Sequence, residues 1–120
     1  MVKVAFEFRT IRDNRLLKSE GEHDVNDAAS FRRRPPFSIG RLSDSSIRVP
    51  DEYGVGDDIA ALLKFEQGTV IVCNPGLKKN LFVKTTEGKR IPVLERSCVP
   101  APRKSVIELN QAVGLKIDYN

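Results

Sequence analysis

The chain has 120 residues, 40% of them hydrophobic, which is one domain's worth of polypeptide with enough apolar content for a modest core. Its 20 Lys and Arg against 16 Asp and Glu leave a formal charge of +4, which permits a polyanionic partner without requiring one. Apolar runs of only a few residues exclude a membrane-spanning helix and hence membrane insertion, and the charges of Lys3 and Glu7 exclude a signal peptide at the start.

The first segment alternates, with Val2, Val4, Phe6 and Phe8 on one face and Lys3, Glu7 and Arg9 on the other. A period of two predicts a half-buried strand over about residues 2–10. From Ile11 to Arg34 the pattern dissolves into polar and charged residues, which predicts a long polar loop over about 11–36, with a short helical turn around 26–31. His23, the only histidine, falls in this stretch and reads as a solvated loop residue with no second histidine to complete a metal site. Arg32, Arg33 and Arg34 before Pro35 and Pro36 then mark an extended entry, since proline disfavours helix. It reads as a solvated, self-repelling linker, with an anion-binding arm as the sharper alternative.

Beyond it, strand-like runs at 37–39, 47–49, 61–65, 69–73, 81–83, 91–93, 106–109 and 115–119 are separated by turn residues at 44–46, 67–68, 74–76, 87–88 and 113–114. Short strands at this spacing, with no long helical period, predict an all-β sandwich whose main body runs over about 37–119. Residues 57–63 also fit a helix start with Asp as its cap, but the following hairpin corner favours a strand over about 60–66.

Cys73 and Cys98 stand far apart in no metal-ligand spacing, which predicts two buried thiols in a cytoplasmic protein, one disulfide being the lesser alternative. No nucleophile elbow, zinc-protease helix or phosphate-binding loop motif occurs. The expectation is a non-enzyme with no catalytic residue, metal or cofactor.

The run Phe37-Ser38-Ile39-Gly40-Arg41-Leu42-Ser43-Asp44-Ser45-Ser46-Ile47-Arg48-Val49-Pro50-Asp51 resembles the opening of a forkhead-associated (FHA) domain: an apolar strand ending in Gly-Arg, a small polar turn, a second strand, then Pro-Asp. The order continues through Ala60 to Leu62, the Gln67-Gly68 hairpin, a valine-rich strand and Phe82-Val83. The similarity covers roughly 37–119, with 2–8 as the family's first strand. It implies a single FHA-like β-sandwich of the SMAD/FHA type over 1–120, built of short antiparallel strands with a long polar N-terminal loop.

What the resemblance implies about function is a protein-interaction module, a signalling adaptor whose loops at one end grip a phosphothreonine segment of a partner such as a Ser/Thr-kinase substrate. Arg41 matches the family's arginine, whose planar donors suit phosphate. The family's Ser-x-x-His is replaced by Gly56-Asp57-Asp58-Ile59, which removes a hydroxyl and adds carboxylates repulsive to a dianion. Ser43 and Ser45 are candidates to restore a hydroxyl. The second pocket loop carries Lys78, Lys79 and Asn80 where the family has hydroxyls and amides, so the expected partner-binding set is Arg41, Ser43, Ser45, Gly56, Asp57, Lys78, Lys79 and Asn80. Two alternatives stand beside it. One is a degenerate FHA scaffold used for phosphate-independent docking. The other, less favoured, is a small basic β-domain that binds nucleic acid through Arg32 to Arg34, Lys78, Lys79, Lys89, Arg90, Arg103 and Lys104, against which the phenylalanines read as core rather than as stacking platforms.

Overall fold

The computed structural model describes residues 2–25, 37–76 and 81–120. Alternating and short apolar runs here become eleven strands: β1 (Val2–Thr10), β2 (Leu16–Val25), β3 (Phe37–Gly40), β4 (Ile47–Arg48), β5 (Ile59–Glu66), β6 (Thr69–Cys73), β7 (Phe82–Lys84), β8 (Arg90–Pro92), β9 (Cys98–Ala101), β10 (Val106–Glu108) and β11 (Val113–Tyr119). They form a six-stranded sheet in the order β2-β1-β11-β10-β7-β8 and a five-stranded sheet in the order β4-β3-β5-β6-β9. The pairs are antiparallel except β3 with β4, which run parallel, so the second sheet is mixed rather than purely antiparallel. The only helical element among the described residues is a 3-10 turn, Asp51–Tyr53.

The inward halves of each strand meet between the sheets. Val4, Phe6 and Phe8 of β1 are fully buried, as the alternation requires, and pack in one cluster with Ile39, Leu63, Ile107, Leu115 and Ile117. Each such side chain contributes about 1.5–3 kcal/mol by leaving water. Tyr119 ties the layers together: its hydroxyl donates to the Ala101 carbonyl at 2.7 Å and accepts from the Val70 amide at 3.2 Å, two residues that face each other across β6 and β9. Its phenol tip is satisfied by main chain, which makes burial of the ring affordable in an apolar layer.

Strand 59–66 forms as preferred over a helix, and the hairpin after it has both Gln67 (φ 51°) and Gly68 (φ 79°) in the left-handed region, the type I′ geometry that matches strand twist. Four expectations need correction. The polar stretch after Ile11 is not a loop throughout: residues 16–25 form β2, paired along β1 with register shifts at Phe6/Glu7 and Phe8/Arg9. As an edge strand it is mostly exposed and carries charge in place of an apolar face, which blunts further pairing and hides the strand from a hydrophobic pattern. His23 therefore sits in a strand, half-buried, its ring edge-on to Phe6 and Phe37. The helical turn expected at 26–31 and the Arg32 to Pro36 entry lie outside the described residues.

Strand β9 is the second miss. Its Pro100 argues against a central strand, but β9 is the outer edge of its sheet, where a missing amide donor is tolerated. Third, Val113 and Gly114 belong to β11, not to a turn; the turn is made by Asn110, whose Oδ1 accepts from the Ala112 and Val113 amides at 2.8 and 2.6 Å. Fourth, Cys73 and Cys98 are joined as a disulfide, directly opposed across β6 and β9 with Cα atoms 4.0 Å apart. The 25-residue separation in sequence concealed a cross-strand neighbourhood that only the strand order creates.

Candidate functional site

Strand β3 ends in Gly40 because nothing larger fits. A Cβ there would stand 2.0 Å from the Asp58 carbonyl oxygen, so the start of β5 lies directly against the Gly40 backbone. This close approach lets the Arg41 amide donate to the Asp58 carbonyl at 3.0 Å. The Arg41 carbonyl accepts from Arg48 Nε at 3.2 Å, and the Val49 amide donates back to the Gly40 carbonyl at 2.8 Å. The loop between β3 and β4 is closed further by a reciprocal pair, in which the Ser38 amide donates to Ser46 Oγ and the Ser46 amide to Ser38 Oγ, at 3.0 and 3.2 Å. Arg41 is thus fixed at its backbone on three sides.

Its side chain reaches across to the next loop. Arg41 Nη1 donates to the Gly56 carbonyl at 3.4 Å, and Nε lies 3.5 Å from Asp51 Oδ1. The Arg41 side chain is 41% exposed and that of Asp51 69%, so the ion pair is solvated and contributes at most about 1 kcal/mol. A stronger anion can displace the carboxylate. Beside it, the Tyr53 ring packs edge-on against Phe8, and its phenol is raised above the ordinary 10.0 by partial burial, with the Glu52 and Glu20 charges acting in the same direction. The Tyr53 carbonyl accepts from Asn110 Nδ2 at 3.0 Å, which fastens the 3-10 turn to the turn between β10 and β11.

Of the residues expected in the site, Arg41 and Gly56 are brought together. Asp57 is half-buried in the same connection between β4 and β5, next in chain to Gly56. Ser43 is exposed in the loop after Arg41. Ser45 lines a separate hollow of about 250 Å³ with Leu42, Ile59 and Leu62 on the outer face of the second sheet, and its buried hydroxyl has no hydrogen-bond partner among the described residues. Lys78, Lys79 and Asn80 lie outside the described residues. Two residues were missed as site members: Asp51, whose only sequence signal is its place in Pro50-Asp51, and Arg48, which alternation assigns to the solvent side of β4 without saying that it holds the Arg41 carbonyl. Of the basic residues expected on a nucleic-acid surface, Arg90 lies 3.7 Å above the Phe82 ring and 2.8 Å from Glu108, and Arg103 faces Asp118 at 4.0 Å.

No protein-family model and no curated protein matches the sequence. Solved structures do. The chain superposes on the solution structure of the FHA domain of an Arabidopsis thaliana hypothetical protein with a TM-score of 0.65 at 11% identity, covering 99% of this chain and 86% of that one. The chain has the FHA fold. A structure described in terms of phosphothreonine-dependent FHA domain interactions matches with a TM-score of 0.57 at 10% identity over 97% of both chains. The FhaA FHA domain, in complex with the intracellular domain of another protein, gives 0.57 at 11% identity over 95% of this chain and 98% of that one. At such identities it is the sandwich that is shared. On that FHA sandwich Arg41 stands at the end of β3, next to the loop that carries Gly56.

Proposed function

We propose that this FHA-fold chain, read as one domain over 1–120, is a non-enzymatic protein-interaction module that binds a phosphothreonine-containing segment of a partner through Arg41. The observation that carries it is the Arg41 side chain itself, anchored at its backbone, half-exposed, and engaged among the described residues by a carbonyl and a solvated carboxylate. A phosphate dianion offers Arg41 twice the charge of Asp51 and a geometry that accepts paired N–H donors, so it replaces the internal carboxylate with net gain. Similar structures include Mycobacterium tuberculosis EmbR in complex with a low affinity phosphopeptide, of which this chain spans 24%, and an engineered FHA with a peptide, which supports the same class of ligand here. The partner segment would be the product of a Ser/Thr kinase, and the role that of a signalling adaptor.

Asp51 and Asp57 favour a second reading, phosphate-independent docking of a basic partner segment, since carboxylates beside the guanidinium lower the anion affinity of the loop end. Fluorescence anisotropy with a degenerate phosphothreonine peptide library separates the two. Binding that requires the phosphate and disappears in Arg41→Ala supports the first; absence of binding by the folded domain to any phosphopeptide removes it. Nucleic-acid binding is the reading we place lowest. For location, no helix of the described residues is long and apolar enough to cross a membrane, and the cytoplasm expected from the sequence stands against the Cys73–Cys98 bond, which is rare in reducing compartments. Alkylation trapping of the thiols in cells decides that point.

A further inference from the structure

The outer face of the six-stranded sheet holds a second feature, unrelated to Arg41. A trough of about 360 Å³ crosses β1, β11, β10 and β7, and five cations line it: Arg9, Arg12, Lys84, Lys104 and Lys116. They come from three strands and two turns that are far apart in sequence, and the register explains why they meet. Val106 lies opposite both Lys116 and Lys84, which sets the two lysines on either side of one valine. Gly114 leaves room beside the floor: a Cβ there would stand 2.5 Å from Val106 Cγ1 and 2.9 Å from Ile11 Cδ1, so the absent side chain is what lets these two line the trough as its apolar part.

The charge is available. Among the described residues Arg12, Lys84, Lys104 and Lys116 make no ion pair; only Arg9 does, with Glu7 at 3.3 Å. Glu108, the one carboxylate lining the trough, is buried and already held by Arg90 at 2.8 Å. The rim is also preset. The Thr10 hydroxyl accepts from the Arg15 amide at 2.9 Å and closes the turn that carries Arg12, the Thr85 hydroxyl accepts from the Lys89 amide at 3.2 Å, and the Thr86 hydroxyl of that second turn donates to the Arg103 carbonyl at 3.3 Å, which holds the turn that carries Lys104.

We propose that this trough binds an acidic polypeptide segment of a partner protein, side-chain carboxylates on the cations and aliphatic groups on the Val106 and Ile11 floor. Three features favour a peptide over nucleic acid. Among the described residues no aromatic ring lines the trough, so bases have nothing there to stack on. Three of the five cations are lysines, point charges on flexible stems that suit scattered carboxylates. The apolar floor lies between the cations, where a peptide presents aliphatic side chains and a sugar-phosphate backbone is mostly polar. The inference goes beyond the Arg41 reading and does not depend on it. The two regions are nonetheless linked by main chain: the Ile11 amide donates to the Ala112 carbonyl at 2.9 Å, and Asn110 of the same turn holds Tyr53.

The test is anisotropy of a labelled ten-residue peptide of alternating Asp and Ala on the full chain at near-physiological salt. Expected is saturable one-to-one binding, weakened about tenfold or more by Lys84→Glu with Lys116→Glu, and left within about twofold by the equal charge change Lys3→Glu with Arg96→Glu and by Arg41→Ala. Circular dichroism checks that each variant is folded; if the Glu pair is not, Lys84→Gln with Lys116→Gln replaces it with the same expected direction. Absence of binding, equal weakening by both charge-reversed pairs, or tighter binding of a ten-nucleotide single strand or of inositol hexakisphosphate than of the peptide each overturns the proposal. Phosphopeptide binding through Arg41 is scored separately and can fail or succeed without changing this result.

Discussion

The loop end around Arg41 and the trough on the six-stranded sheet carry opposite charge balances. The connections β3–β4 and β4–β5, which flank Arg41 in the chain, carry Asp44, Asp51, Glu52, Asp57 and Asp58, and the Arg41 side chain is engaged by Asp51 and by the Gly56 carbonyl. In the trough, four of five cations have no ion-pair partner among the described residues, and the lone lining carboxylate is neutralised from outside by Arg90. The molecule's small net excess of positive charge is therefore unevenly placed, and the described part of the region that the FHA resemblance singles out is the acid-rich one. A weakly charged chain can still present a strongly charged face, because strand order gathers like charges that the sequence disperses.

Each region is built around one glycine, and the two should break differently. Gly40→Ala sets a Cβ against the fixed backbone of Asp58, which has no way to yield without opening β3 from β5. We expect it to cost roughly 3 kcal/mol in urea unfolding and to abolish any phosphopeptide binding through Arg41. Asn110→Ala attacks the link between the regions, since it deletes the acceptor for two amides and the donor to the Tyr53 carbonyl. A loss of about 2 kcal/mol is expected, with faster amide hydrogen exchange at both Val113 and Gly54.

Gly114→Ala meets its two nearest neighbours at side-chain tips, which can turn aside, with the Ile107 carbonyl oxygen farther off at 3.4 Å. Its expected cost is smaller than that of Gly40→Ala, about 1–2 kcal/mol, but Val106 and Ile11 must rise, so the acidic peptide should bind more weakly while phosphopeptide binding is unchanged. Smallest is Asp51→Asn, which frees the Arg41 guanidinium from its solvated partner. Phosphopeptide affinity should rise by about threefold, with no change in thermal midpoint or in binding at the trough. A fall in affinity would mean that Asp51 orients Arg41 rather than competing for it.

Much of the sandwich was legible in residue order. Alternation along Val4, Phe6 and Phe8, the Gln67-Gly68 hairpin and the Gly40-Arg41 strand end each carry a local signal that burial or turn geometry enforces. The misses are equally specific. Strands β2 and β9 are sheet edges, where exposure relaxes the apolar pattern and tolerates Pro100. Gly114 imitates a turn glycine, though its role is to leave space beneath Val106. For the candidate site, Arg41 and its neighbour Gly56 could be named from motif order, but Ser45 could not be placed, because it lines a separate hollow with Leu42 and Ile59.

What the sequence by itself determined is the local vocabulary: which segments extend, where the chain turns, and that an arginine follows the first strand of the second sheet. Only the tertiary structure decided which distant residues share a surface. The Cys73–Cys98 bond, the Arg41–Asp51 pair and the gathering of Arg9, Lys84 and Lys116 all depend on strand order and register. Those are settled by how two sheets bury their apolar faces together, a global balance that no short stretch of sequence contains.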